Sequence, residues 1–513
     1  MKKDKRAIVI GAGLGGLSSA AYLSKNGLKV DLFDRNPHPG GYACSFVRDG
    51  YEFEAALHAL SGIGPEDNRG SCYRILEGCD VARRVEFVPI EDLYTSVFPD
   101  FKATIPKGWE AAEEAYGENF PAERKGLHRV MEFMRKMAEE MKLITGDPGV
   151  LDLLMLPVKG SHLVRSTGLT VSQALDREIS DPRLKALFCD LWGYYGLPPS
   201  RLSFQLFAMA NAAYIEYGSY HVKGTSQALS NAFIDAIEEN GGTVHLRSGI
   251  EKINVDNGRV TGVVTEHGDE YHADYIVSNA NPIHACYDLI GAQNVPNSYL
   301  KALAEGHIAV STFNVYMGLD CTVEDMGVPP HYEVFYNEDY DTDGQYRRMF
   351  EIERQKYWAL TNYSVLHPEL SPPGTSIMVI TGLVDYGAWA RVPPDRYVET
   401  KNRLAAEMIE AAENVVPGLG SHIAVVEVAT PLTNMRYSGN PGGSILGFDY
   451  DVTGSSMFRL PNRGPLEGLY FANAWVRLGG GFETCMTSGF LAYMEVMKDV
   501  KGVKGIKKLL PGL

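Results

Sequence analysis

Residues 6–34 read RAIVIGAGLGGLSSAAYLSKNGLKVDLFD, and this stretch decides the fold. Ile8, Val9 and Ile10 are β-branched and lead into the turn GAGLGG; Ala, Leu and Ser helix formers follow, and Val30 to Phe33 restore a strand pattern. The order strand, glycine turn, helix, strand predicts a βαβ unit, with Asn26-Gly27 closing the helix. Gly11 makes the tight turn, Gly13 admits a pyrophosphate against the backbone, and Gly16 lets helix pack on strand, with Gly15 in the same turn. The unpaired N–H groups at the helix start, with their partial positive charge, suit a phosphate dianion without any basic side chain. Asp34 ends the second strand and is placed to bond a ribose hydroxyl, with Arg35 beside it. A lone glycine motif is weak, but here strand, helix, second strand and acid agree, and together they predict dinucleotide binding.

Upstream of the turn, KKDKR and the apolar run from Ala7 imitate a signal peptide. The glycines and serines in that run fall at spacings a dinucleotide turn explains, so no targeting segment is read there. At 513 residues the chain exceeds one simple core and is expected to form interleaved domains. With 45% hydrophobic and 22% charged residues it has the composition of an ordinary globular protein. A net charge of −16 and the lack of a long basic stripe exclude nucleic acid as a partner. Seven scattered cysteines without CxxC or Cys/His spacing predict no metal site and a reduced, cytoplasmic setting.

A second glycine pair, Gly40 and Gly41 in DRNPHPGGYACSF, follows the acid and favours FAD over NAD. From here residues 7 to 58 resemble the superfamily of flavoproteins that contains phytoene desaturases, carotenoid isomerases and retinol saturases, through GGYACSFVRDGYEFEAALH with Gly41, Phe53, Glu54 and His58. Three more blocks carry the resemblance: YHVKGTSQALSNAFIDAIEENGGTVHLRSGIEKI, ATPLTNMRYSGNPGGSILGF and GLYFANAWVRLGGGFETCMTSGF. The likeness implies that the backbone of Ile250 contacts adenine and that the last block, with Gly481, Thr484 and Met486, lies against the flavin ring. Two departures stand out there. Asn473 and Ala474 replace a glycine and an acid or amide, so Asn473 is expected to supply a substitute cofactor contact; Glu483, Thr484 and Cys485 replace Pro, Gly and Ala.

The expected architecture is an α/β flavoprotein. A Rossmann-type FAD-binding domain is assembled from residues 1–107, 216–290 and 431–513, and an interleaved α+β substrate domain from 108–215 and 291–430. The first inserted stretch reads as mostly helical, and Asn257-Gly258 reads as a hairpin turn. Glu483 and His58 are the candidate proton donors or acceptors, each weighed against a purely structural role as helix cap or satisfied histidine. Tyr194, Tyr195, Tyr214, Tyr217 and Tyr220 are candidates for a pocket lining or for ordinary core. Cys485 reads as a packed thiol rather than a covalent flavin link, and Arg477 as a partner for an anionic flavin or a surface ion pair.

By resemblance the function is FAD-dependent chemistry at a carbon–carbon bond of an apolar, isoprenoid or polyene-like substrate: desaturation, saturation or isomerisation. The alternatives are a flavin amine or amino-acid oxidase and a non-catalytic flavin-binding subunit. No second GxGxxG stands between strand and helix, since GGSILG at Gly442–Gly447 has a loop context, so electrons come from the substrate, a separate electron donor or acceptor, or a transient reductant, or the net chemistry is redox-neutral. The tail MKDVKGVKGIKKLLPGL interleaves lysines with apolar residues, which predicts a peripheral membrane contact.

Overall fold

The computed structural model describes residues 5–145, 161–328, 330–452 and 459–502. The opening strand Arg6–Ile10 lies third in a five-stranded sheet, in the order Leu469–Phe471, Tyr275–Ser278, Arg6–Ile10, Lys29–Phe33, Thr243–His245. Every pairing is parallel, with Val9 beside Val277 on one side and Leu32 on the other. A parallel sheet needs cover on both faces. The first strand supplies it by alternation: Ala7 and Val9 enter one core, Ile8 and Ile10 the other.

The first core packs the helix Leu14–Lys25 against the helices Thr225–Glu239 and Phe482–Lys501 through Leu17, Ala21, Phe233, Ala492 and Val496. The second is roofed by an antiparallel meander of Ile250–Asp256, Arg259–Thr265 and Glu270–His272. Its tight turn is Asn257-Gly258, with both residues at positive φ, the geometry for which Asn-Gly is favoured. The sheet therefore draws on the start, middle and end of the chain, the discontinuous α/β Rossmann-type arrangement the fingerprint predicted.

A second sheet has seven strands: Ile423–Ala429, Ser311–Leu319, Ser376–Val384, Tyr357–Asn362, Glu333–Asn337, Asp92–Val97 and Lys102–Pro106. Its pairings are antiparallel except that of Glu333–Asn337 with Asp92–Val97. Helices including Arg124–Thr145 and Phe204–Tyr217 share a core with it through Leu127, Met134, Phe207 and Phe335. The Asp92–Pro106 hairpin thus sits differently from the expected 1–107 segment. It completes an edge that would otherwise leave backbone N–H and C=O groups unpaired, and it buries Tyr94 and Ile105. Among the described residues no helix is long and apolar enough to cross a membrane. The tail from residue 503, with Lys504, Lys507 and Lys508, lies outside the described residues.

Candidate active site

Gly13 precedes the helix Leu14–Lys25 in an extended conformation with no side chain capping the helix, so the first N–H groups stay open to a ligand. Gly11 adopts φ +94°, which L side chains resist. Gly40 and Gly41 close over this turn, the Gly40 N–H donating to the Ala12 carbonyl at 2.7 Å. A Cβ on Gly15 would lie 2.1 Å from the Ala472 carbonyl oxygen, and one on Gly16 would lie 2.0 Å from that of Gly11. Both contacts are with backbone. At Gly13 the nearest atom is instead a side-chain one, Asn279 Oδ1 at 2.5 Å.

Asn279 was not marked in the sequence, although an asparagine directly after the strand pattern YIVS was a legible signal. Its Oδ1 accepts from Gly13 N–H at 3.2 Å and its Nδ2 donates to Ala472 O at 2.6 Å, so it joins the glycine turn to two strand ends. Asp34 has a comparable local role. Its two carboxylate oxygens accept from Ala12 N–H and Asn36 N–H, each at 2.7 Å, and burial raises its pKa from the ordinary aspartate value.

These groups line one end of a cavity of about 1320 Å³. Most small-molecule pockets hold roughly 300–1,000 Å³, so a dinucleotide fits with room beyond it. The glycine cradle and uncapped helix start match the needs of a pyrophosphate. Ile250 opens its strand at this end, and Arg35 lines it too while donating to the carbonyls of Arg436 and Tyr437 at 3.0 and 3.3 Å. Gly11, Gly13, Gly15 and Gly41 all face the cavity. Gly16 does not, since it is spent on packing the helix.

Toward the middle, Asn473, Gly481, Glu483, Thr484 and Cys485 come from the C-terminal block. The amide of Asn473 is engaged at both ends: Nδ2 donates to Ala280 O at 2.9 Å and Oδ1 accepts from Trp475 N–H at 3.0 Å. Thr484 donates to Gly480 O at 2.8 Å. Met486 does not reach the cavity. It is fully buried in the first core, one turn deeper into the helix, and its carbonyl accepts from Ser18 at 2.8 Å. Arg477 also falls outside the lining, as do Tyr217 and Tyr220, the latter in the first core.

Glu483 stands in the first turn of Phe482–Lys501, but its carboxylate accepts from the hydroxyls of Ser61, at 2.6 Å, and Ser71. It thereby binds the helix start to the loop after His58 rather than capping its own N–H groups. His58 reaches the same cavity from the segment after the strand Tyr51–Glu54. Its Nδ1 lies 2.7 Å from Thr361 Oγ1, and burial lowers its pKa to about 4, so the ring is neutral. Tyr194, Tyr195 and Tyr214 flank these groups, and the far end is apolar, walled by Met141, Leu163, Leu206, Met209, Ala210 and Leu383.

The comparisons with known proteins fit this geometry. The family described as flavin containing amine oxidoreductase matches residues 14–497. The 4,4'-diapophytoene desaturase (4,4'-diapolycopene-forming) of Methylomonas sp is 28% identical over 387 residues, covering 74% of this chain and 73% of the relative. The all-trans-retinol 13,14-reductase of Danio rerio is 24% identical, covering 88% of this chain and 78% of the relative. A crystal structure of an oxidoreductase from Methanosarcina mazei superposes with a TM-score of 0.64 at 17% identity, covering 96% of this chain and 100% of that one.

Proposed function

The chain belongs to the flavin containing amine oxidoreductase family, and on that footing we propose that it alters a carbon–carbon bond of an apolar, isoprenoid or polyene-like substrate. Its cofactor is FAD. The observation that carries the substrate class is the run of apolar side chains, Met141, Leu163, Leu206, Met209, Ala210 and Leu383, that walls the cavity and suits a long hydrocarbon. The named relatives include a desaturase and a reductase, which pass hydrogen in opposite directions.

When bound, FAD supplies a hydride acceptor or donor. The chain supplies the rest. The glycine turn and the helix start hold the pyrophosphate, and Asp34 fixes the turn while facing the ribose side. The apolar wall excludes water and aligns a long substrate. Glu483 and His58 move the proton that accompanies the hydride. In desaturation or saturation, electrons enter or leave through the substrate itself or a separate redox partner; in isomerisation the net chemistry is redox-neutral.

Two expected results test this reading. Photoreduced enzyme, kept anaerobic, is reoxidised by polyenes or enones, while primary amines added to the oxidised enzyme release no peroxide. Peroxide release with amines, together with indifference to polyenes, would establish an amine oxidase instead. Acid precipitation should leave the flavin in the supernatant, because burial raises the pKa of Cys485 to about 12 and keeps it a packed, unreactive thiol. Flavin retained in the pellet would contradict that. We place the protein in the cytoplasm with a peripheral membrane contact through its lysine-rich tail. Full-length protein should float with liposomes more strongly than a chain ending at Gly502, and equal flotation would remove the contact.

A further inference from the structure

Glu333 is a buried acid that the mechanism above does not use. It opens the strand Glu333–Asn337, buried, directly opposite Thr361 on the neighbouring strand. Its Oε2 accepts from Thr361 Oγ1 at 2.8 Å, and the Tyr194 hydroxyl is its other side-chain hydrogen-bond neighbour. Thr361 Oγ1 also lies 2.7 Å from His58 Nδ1, so one hydroxyl joins the buried acid to the histidine that faces the cavity.

The histidine is held firmly. Tyr332 donates to the His58 carbonyl and Tyr363 to that of Leu57, both at 2.8 Å, and the Tyr194 ring lies parallel to the imidazole at 6.5 Å. The ring's hydrogen-bond contacts run through Nδ1, to Thr361 Oγ1 at 2.7 Å and to the Tyr363 hydroxyl at 3.5 Å. The other titratable groups around Glu333 are Tyr194, Tyr214, Tyr332, Tyr357 and Tyr363, and among the described residues its sole ion-pair distance is 3.9 Å to His58.

We propose that Glu333 and Thr361 are positioning residues that set which nitrogen of His58 carries the proton, making that one histidine an acid in one state and a base in the other. This rests on the carbon–carbon reading of the site. In the acid state, protonated Glu333 donates to Thr361, Thr361 donates to Nδ1, and Nε2 carries the ring proton. When Nε2 gives that proton to a substrate carbon, Nδ1 takes the hydroxyl proton of Thr361, and Thr361 takes the carboxyl proton of Glu333. The ring ends neutral with Nδ1 protonated, Thr361 intact and Glu333 ionised, so one proton has left Glu333 and one has reached carbon. The reverse sequence removes a proton from substrate. A ring nitrogen's hydrogen bond sets the tautomer of its partner nitrogen. Burial supports the scheme from both sides, lifting Glu333 to about 8 and holding His58 down at about 4, so the acid and not the ring changes charge near neutrality.

The test compares wild-type holoenzyme with Glu333→Gln, Thr361→Val and Thr361→Ser. The infrared difference between wild type and Glu333→Gln at neutral pH should contain a protonated-carboxyl C=O band, and Thr361→Val should shift that band. In single turnovers with a polyene, Glu333→Gln and Thr361→Val should slow the proton-coupled step roughly 10²-fold with FAD affinity unchanged, and Thr361→Ser should restore it. The proton-donating direction should fall in wild type as pH rises through the Glu333 ionisation, and that inflection should vanish in Glu333→Gln. An absent carboxyl band, or variants with wild-type rates and pH profile, overturns the proposal. Should wild type turn over no polyene, the functional reading fails on its own, and the infrared bands still decide the protonation of Glu333.

Discussion

Gly13→Val is expected to give folded, colourless protein. A Cβ at this position meets the Asn279 side chain rather than backbone, so the fold survives with the loss of the Asn279 hydrogen bonds to Gly13 N–H and Ala472 O. The branched side chain then fills the space the pyrophosphate needs over the helix start. Overpacking of this kind costs roughly 3 kcal/mol, or about 10²-fold in affinity, and flavin should be lost on purification. Gly15→Ala makes the contrast. Its single added carbon would lie 2.1 Å from the Ala472 backbone oxygen, a contact no rotamer relieves, so this variant should lose thermal stability as well as flavin. Absorbance per protein and a thermal melt separate the two. Gly13→Val that retains stoichiometric FAD would contradict the assignment of the cradle.

Glu483→Gln is expected to lower turnover roughly 10²-fold or more while leaving the melting temperature within a few degrees of wild type. The carboxylate is fixed by the Ser61 and Ser71 hydroxyls and lines the cavity, so it is presented rather than hidden. Glutamine preserves the shape and can still accept from one hydroxyl and donate to the other, which protects the link between the helix start and the loop. Proton transfer is what it loses. Near-normal turnover with reduced stability would show that Glu483 only ties the helix to the loop.

The fold was legible because its decisive residues answer to local backbone geometry. Gly11, Gly16 and the Asn257-Gly258 turn are required by φ angles or by close packing within a few residues, and such demands appear directly in the sequence. Of the candidate site, the residues that a motif marks at the glycine end of the cavity were legible as cavity-lining ones. Met486 and the Asp92–Pro106 hairpin were placed elsewhere by the fold, because helix facing and sheet-edge pairing depend on distant partners. Thr361 stands 303 residues from His58 in the chain, and only the seven-stranded sheet brings Glu333 and Thr361 together behind it. A hint did exist in HYEVFYN, where one acid interrupts an aromatic strand whose neighbours are buried. Ser61 and Ser71 carried no such mark, since short hydroxyl residues in loops are common.

The most direct test of the central claim is an anaerobic single turnover with stoichiometric enzyme and a polyene, following the flavin spectrum and the mass and geometry of the recovered polyene together. The account predicts a polyene that has gained or lost one pair of hydrogens in step with the flavin, or one whose double-bond geometry has changed while the flavin returns to its starting state. A polyene recovered unchanged across the series, with the flavin bleached instead by a primary amine, would contradict it.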